Sequence, residues 1–500
     1  MGSRMFVLDS ISRFWCAVRC YAITIMASLM QVPVELLGLI CSDLGTGDIL
    51  SLCRSCKSLY SAAHPLLFRH ITIAWDRSAR PDEPPNFTSL LLFILKYPSY
   101  ARYIKTVNIP RVKYGACHDY AWRLSRKGTP PPLSNPEETA LVRDVIEELY
   151  LPELDYEEWY ISVAEEPNLG ATITLILALC THLESLTVDV HFLPPSNFWF
   201  PDMIKSAVSL PKGATRLSRF QKLTRLTVSS LNIPDHDLPT ETFLLCFYLP
   251  SVTTLCFADA LNDPEREPWD PTSASHRGPV WPLARPPLAA SLTTLHLNDT
   301  RARPGAVEFL LRHTPNLQSL VYVCSLPSSS SPLDLVALRQ GLEHVRDTLT
   351  HLSIRFDIFA DEGLDPRNLA AVLRGSLGPL GSMTALEDIN VPLALLLGQV
   401  TPQTAAPLAD VLPSRLKRLT INDDLWNYDA FNTWEPEHVG SLLTAFFAGP
   451  CKTATPRLED FVLDMWENSW VSYECWDDED KKEALQELTE SQGIRCEISR

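Results

Sequence analysis

No glycine-rich phosphate loop, no zinc-protease helix motif and no Gly-x-Ser-x-Gly elbow occurs in this 500-residue sequence. The sequence therefore carries no sign of the familiar phosphoryl-transfer, metalloprotease or acyl-transfer sites. Twelve histidines are dispersed along it. His182, His191, His296, His313 and His351 fall in or beside a recurring apolar motif and read as solvated or hydrogen-bonded side chains, not as ligands. A basic surface is missing as well. Lys and Arg number 43 against 60 Asp and Glu, which leaves a net charge of −17 and a pI near 5.2. Phosphate backbones and anionic lipid need the opposite sign, so neither nucleic acid nor a membrane surface is expected as a partner. Long apolar runs are scarce: Phe14 to Met30 is mostly apolar, but Arg19 interrupts it. Cys20 to Met30 is too short to cross a bilayer, so no transmembrane helix is expected. Thirteen cysteines, an odd number without regular spacing, do not form a disulfide framework and suit a reducing cytosol or nucleus. Cys53-Arg-Ser-Cys56 has the spacing of a redox or half-zinc site. No second pair follows it, and both sulfurs fall on helices needed for packing. No catalytic residue, cofactor or metal is assigned.

What the chain does have is an ordinary globular balance, 46% apolar and 21% charged, enough for two to four domains or one long solenoid. Residues 1–29 read as a leader, disordered or helical, or as an extension upstream of Met26 or Met30. Residues 30–73 then hold three short helical stripes. Pro33 stands at a first helical turn, where its missing N–H had no partner anyway. Leu36, Leu37, Ile40 and Leu44 recur at helical spacing. Gly45-Thr46-Gly47 breaks the helix, and Asp48 is placed to cap the next. Ile49, Leu50, Leu52 and Cys53 form a second stripe, and Cys56, Leu59, Tyr60 and Ala63 a third. Some forty residues cannot close a good core alone, so part of this apolar surface needs a partner or the rest of the chain.

The order Val32-Pro33-x-Glu35-Leu36-Leu37-x-x-Ile40, Leu44, Asp48-Ile49-Leu50-x-Leu52, Cys56-Lys57-x-Leu59-Tyr60 resembles an F-box. It departs from that pattern at Val32, where leucine is usual, and lacks the tryptophan often found in the third helix. The resemblance implies docking on a Skp-type adaptor and, through it, a cullin–RING ubiquitin ligase. Pro33, Leu36, Ile40, Leu50, Cys56 and Leu59 would face that adaptor or support the helices that do.

Beyond residue 100 one pattern returns: apolar, two mostly polar residues, apolar, variable, apolar. Its ten instances are 104–109, 183–188, 223–228, 252–257, 292–297, 317–322, 349–354, 386–391, 416–421 and 458–463. Thr, Glu, Lys or Gln recurs at the second place. Amphipathic helices precede most units, for example Thr240–Leu249, Gly305–His313, Asp334–Val345 and Glu437–Phe447. The fourth and sixth positions point to one side of a strand and need stacked neighbours to be buried. The pattern resembles an irregular leucine-rich-repeat solenoid of the kind often joined to an F-box, and the alternative is an ordinary α/β domain of βα units. The asparagine usual two places past each strand is absent, so turn hydrogen bonding must differ.

The expected architecture is thus α/β: a three-helix F-box at 30–73, then a solenoid at 74–476 with its parallel sheet inside and helices outside. Loops fall at 128–136, 263–287 and 327–332, and a helix and capping strand close the array at 477–500. Strand residues opposite the buried pair would line a face for an unknown target protein, with Arg225, Thr227, His296, Asn298, His351, Arg355, Arg418 and Asn422 as candidates. Trp426, Trp434, Trp466, Trp470 and Trp476 are expected to pack the cap. A target-recognition subunit of a ubiquitin ligase is the function this implies. A repeat scaffold without a ligase role is the alternative, and a small-molecule receptor with a basic recess at Arg225, Arg355 and Arg418 a third.

Overall fold

In a computed structural model, residues 32–73, 86–109, 131–152, 154–189, 199–211, 213, 215–229, 240–258, 280–300, 302–327, 333–359, 373–398, 404–425, 436–465 and 479–499 are described. The leader, the five tryptophans, His191 and residues 128–130, 263–279 and 328–332 of the expected loops lie outside them. All ten motif instances are strands. In chain order the strands are β1 (His70–Thr72), β2 (Thr106–Asn108), β3 (Ser185–Asp189), β4 (Arg225–Ser229), β5 (Thr254–Ala258), β6 (Thr294–Thr300), β7 (Ser319–Pro327), β8 (Leu333–Asp334), β9 (His351–Phe359), β10 (Leu373–Arg374), β11 (Asp388–Pro392), β12 (Arg418–Asn422), β13 (Asp460–Asp464) and β14 (Arg495–Ser499). Twelve of them form a single parallel sheet whose strand order follows the chain, and β8 pairs with β10 in a small second sheet. The fold is therefore α/β, and the large sheet is open, running from β1 to β14.

The motif explains the sheet. Its first residue is buried just before each strand begins, as at Ile104, Leu183, Leu223 and Leu386. Its fourth residues stand in register across all ten motif strands, from Val107 through Leu186, Leu226, Leu255, Leu295, Leu320, Leu352, Ile389 and Leu419 to Phe461, and all are buried. Each such side chain gains about 1.5–3 kcal/mol over an exposed one. The alternate residues stay partly accessible on most strands, so one face of the sheet is covered and the other is not.

Leading into each strand of the large sheet from β2 to β13, the carbonyl at the second motif place accepts two backbone N–H groups from the next unit in the sheet. Glu184 O takes Thr224 N and Arg225 N, Thr224 O takes Thr253 N and Thr254 N, and Thr253 O takes Thr293 N and Thr294 N. The series begins at Arg69 O and reaches Glu459 O, which accepts Arg495 N. Where that residue is threonine its hydroxyl joins in: Thr253 Oγ1 donates to Thr224 O at 3.1 Å, Thr293 to Thr253 O at 3.1 Å and Thr350 to Gln318 O at 3.0 Å. Elsewhere the place holds ion pairs, Lys105–Glu184 at 2.6 Å and Lys417–Glu387 at 2.7 Å. Side chains in the preceding turns repeat the device, with Ser291 donating to Pro250 O and Asn316 to Ala290 O. These bonds lie at the leading ends of the strands, not at the trailing ends where the asparagines are missing.

Helices cover the buried face. The expected helices form at Thr240–Cys246, Pro304–Leu311, Leu335–Glu343 and Pro436–Ala448. The acidic helix is Pro136–Leu149, and the chain closes with Glu479–Ser491 and β14. Helix Leu169–Leu179, buried on every side from Gly170 to Ala178, has too little amphipathic contrast to be read from periodicity. Helices Pro304–Leu311 and Leu335–Glu343 cross at Gly341, where a Cβ would lie 2.8 Å from Glu308 Cα. Gly341→Ala should separate them and cost about 1–3 kcal/mol, read as a lower urea midpoint at unchanged slope. Thr253→Val, which keeps shape and removes one rung, should cost about 0.5–1.5 kcal/mol by the same assay.

Candidate functional site

The first site is the three-helix segment. Helices α1 (Val34–Ser42), α2 (Thr46–Ser55) and α3 (Lys57–Ala63) share a small core of Cys41, Ile49 and Ala63, with Leu44, Leu52, Cys53, Leu66 and Leu67 around it. This core is distinct from the main one. Pro33 is the N-cap of α1. Gly45, not Asp48, occupies the N-cap of α2, and Asp48 sits in the first turn, where its charge suits the helix dipole. On α1, Leu37 and Cys41 point inward, while Leu36, Leu39 and Ile40 are 51%, 64% and 47% exposed. Leu50 of α2 and Tyr60 of α3 are exposed too.

Of the six residues expected to meet or support an adaptor interface, Pro33, Leu36, Ile40 and Leu50 are therefore exposed. Cys56 is half-buried and caps α3, its Sγ accepting the Leu59 N–H at 3.5 Å. Leu59 is buried, one turn before Ala63, so it supports from beneath. Cys53 and Cys56 are free thiols. Burial, and then the neighbouring Cys41, push the Cys53 thiol up, which disfavours the thiolate a redox or zinc role needs.

An aromatic cluster ties this segment to the first units of the sheet. Tyr60 stacks on His64, Phe68 stacks on Phe93 at 4.7 Å, and His64 Nδ1 lies 2.9 Å from Tyr100 Oη. The segment runs directly into β1, which pairs with β2.

The second site is the accessible sheet face. Its register rows gather the candidates: Arg225, Thr254, Thr294, Ser319, His351, Asp388, Arg418, Asp460 and Arg495 stand side by side. Thr227, Cys256, His296, Val321 and Ser353 form the next row. From β9 onward the first row alternates in charge and satisfies itself. His351 Nδ1 is 3.3 Å from Asp388, Arg418 bridges Asp388 at 3.4 Å and Asp460 at 3.3 Å, and Arg495 Nε donates to Asp460 at 2.6 Å. Such exposed pairs add little stability, but they occupy the groups a target would use. Arg225, by contrast, is exposed and makes no ion pair among the described residues.

Arg355 reaches past β11 to the end of β12. Its Nη2 donates to Asp424 at 2.9 Å, Nη1 lies 3.2 Å from Asp464, and the Asp424 carboxylate also accepts the Phe356 N–H at 2.9 Å. Burial works against the guanidinium, yet Asp424, Asp464 and Asp423 together hold its pKa above the ordinary value. Asn422 is wholly buried and donates to Asn390 at 2.9 Å and to Ile354 O at 3.3 Å. This corrects the expectation that Asn422 lines an accessible face: β12 ends beneath a buried turn, Asp423 to Leu425. Arg355 and Arg418 are held in ion pairs, so they frame no open basic recess.

Cys256 and His296 are register partners, and Asn298 donates to Cys256 Sγ at 3.4 Å. These are the residue types of a cysteine nucleophile. Burial pushes the Cys256 thiol up and the His296 imidazole down, the latter reinforced by His351. Both shifts favour the neutral forms, the reverse of a thiolate–imidazolium pair. Among the described residues no group of three or more His, Cys, Asp or Glu is placed to hold a metal ion, and no helix is long and apolar enough to cross a membrane. No protein-family model and no curated protein matches this chain.

Sequence reasoning missed the Arg355–Asp424 pin and the Tyr60–Tyr100 cluster. Its one available signal for the pin was a charged residue, Asp424, at a turn place where asparagine was expected.

Two outcomes follow. Arg355→Ala leaves Asp424 buried without its cation and should cost on the order of 2–4 kcal/mol in chemical denaturation. His296 has a lower pKa folded than unfolded, so the unfolded chain takes up the proton first. Its contribution is complete above about pH 6.5 and is lost as pH falls below it. His296→Gln should therefore reduce the drop in melting temperature between pH 7.5 and pH 5.5.

Proposed function

We propose that this chain is the substrate-recognition subunit of an SCF-type ubiquitin ligase. In this reading α1–α3 are an F-box that docks a Skp-type adaptor and, through it, a cullin. The stacked strand–helix units are an irregular leucine-rich-repeat solenoid that holds a target protein. The observation that carries the reading is the outward stripe of Leu36, Leu39 and Ile40 on a segment with its own small core. Three large apolar side chains at helical spacing are unfavourable in water, and burial against a partner relieves that cost. Such a subunit breaks no bond itself; it raises the effective concentration of the target beside the ligase's catalytic module. Nine free thiols among the described residues suit the reducing cytosol or nucleus where that assembly works.

A second reading, a protein-binding scaffold without a ligase role, has a specific support. The helical segment ends in β1, which protects the edge of β2, so it also serves as a cap. The two readings part at the outward stripe, which a cap does not need.

The purified chain should bind a purified Skp-type adaptor in calorimetry. Leu36→Asp and Ile40→Asp, both at exposed places, should each weaken binding at least tenfold, about 1.4 kcal/mol, with unchanged circular dichroism. A wild-type chain that does not bind, or variants that bind equally well, would exclude the ligase reading and leave the scaffold.

A further inference from the structure

A cavity of about 300 Å³ lies at the leading edge of β5 and β6, far along the chain from the helical segment. It is half open, bounded by Phe247, Leu249 and Pro250 on one side and on the other by Leu283 and Arg285 to Ala289 of a strap formed by residues 280–289. The strap is held rigid at several points. Trp281 is buried, stacked on Phe309 at 4.8 Å and set edge-on to His313 at 5.0 Å. Tyr248 Oη donates to Arg285 O at 2.8 Å, and Ala289 N donates to His313 O at 3.1 Å. Prolines 282, 286 and 287 fix the strap's backbone further.

Three features identify what the cavity takes. Its walls are largely apolar, and Leu288 at its mouth is 77% exposed, with Val280 at the start of the strap 67% exposed. Arg285 lines it, is exposed and makes no ion pair among the described residues, and no carboxylate is among the lining residues. On a chain of net charge −17 an exposed cation on an apolar recess with no carboxylate in its lining is a local reversal of sign. Pro286 and Pro287 have no N–H to offer, so a partner cannot add to the strap as a strand. The volume suits one large side chain and is at the low end for a small-molecule site.

We propose that this recess docks an extended acidic segment of a partner protein, which inserts one leucine, phenylalanine or tryptophan side chain between the strap and residues 247–250 and sets a flanking carboxylate on Arg285. Because the strap is already rigid, little ordering cost opposes binding. The site lies away from the Leu36–Ile40 stripe and does not depend on the ligase reading.

A displayed library of random octapeptides, selected on the immobilised full chain, tests it. Recovered peptides should share an apolar anchor flanked by Asp or Glu. In fluorescence anisotropy a recovered peptide should bind at least tenfold more weakly to Arg285→Glu and to Leu288→Asp, more weakly at high salt, and unchanged to Leu36→Asp. Both substitutions are at exposed places, and circular dichroism confirms their folds. Recovery of no common sequence, enrichment without acidic residues, or equal binding by the variants overturns the proposal. So does a dimer in sedimentation that Leu288→Asp dissociates, because a second copy would then be the occupant.

Discussion

The carbonyl series that begins at Arg69 and ends with the Arg495 amide is the constraint on which the rest of the structure depends. Each step fixes the start of one strand against the start of the next. Because the same motif place is used each time, rows of side chains come into register without any long-range instruction. Burial then follows: a leucine in one unit finds its counterpart in the next because the carbonyl before it has been caught. The hydroxyls of Thr253, Thr293 and Thr350 and the ion pairs of Lys105 and Lys417 reinforce the same line. The hydrophobic effect supplies most of the stability, and the hydrogen bonds choose which apolar groups meet.

This arrangement accounts for what was legible beforehand. The ten motif strands were readable because the apolar triple and the polar second residue are both local and both needed by one geometry. Helices with one apolar face, such as Pro304–Leu311, were readable for the same reason. Helix Leu169–Leu179 was not, because a helix buried on every side has no contrast between faces. Strand β1 carries the same pattern, Phe68-Arg-His-Ile-Thr-Ile73, and was missed because it closes the segment read as three helices.

The candidate site was legible in kind but not in residue. Alternation along a strand says which side chains share a face, and Arg225, Thr227, His296 and Asn298 are on it. Alternation does not say which of them are already engaged. Arg418 pairs with aspartates on both neighbouring strands, and Asn422 is covered by the turn that follows it. The Arg418 pairs join residues 30 and 42 positions apart, and Asn422 donates to a carbonyl 68 positions away, so they leave no trace in spacing. On the helical segment the stripes themselves were plain; Leu59 and Leu36 differ only in which side of a short helix the small core takes.

The Arg355 guanidinium spans a whole neighbouring unit to reach Asp424. Elsewhere each unit depends on the ones beside it, so in principle one could be lost or duplicated and the remainder would close the gap. Across β9 to β12 that freedom ends. Excising the β11 unit would bring donor and acceptor to the wrong spacing, and doubling it would pull them apart. Strands β9 to β12 must therefore keep their number and spacing for the pin to form.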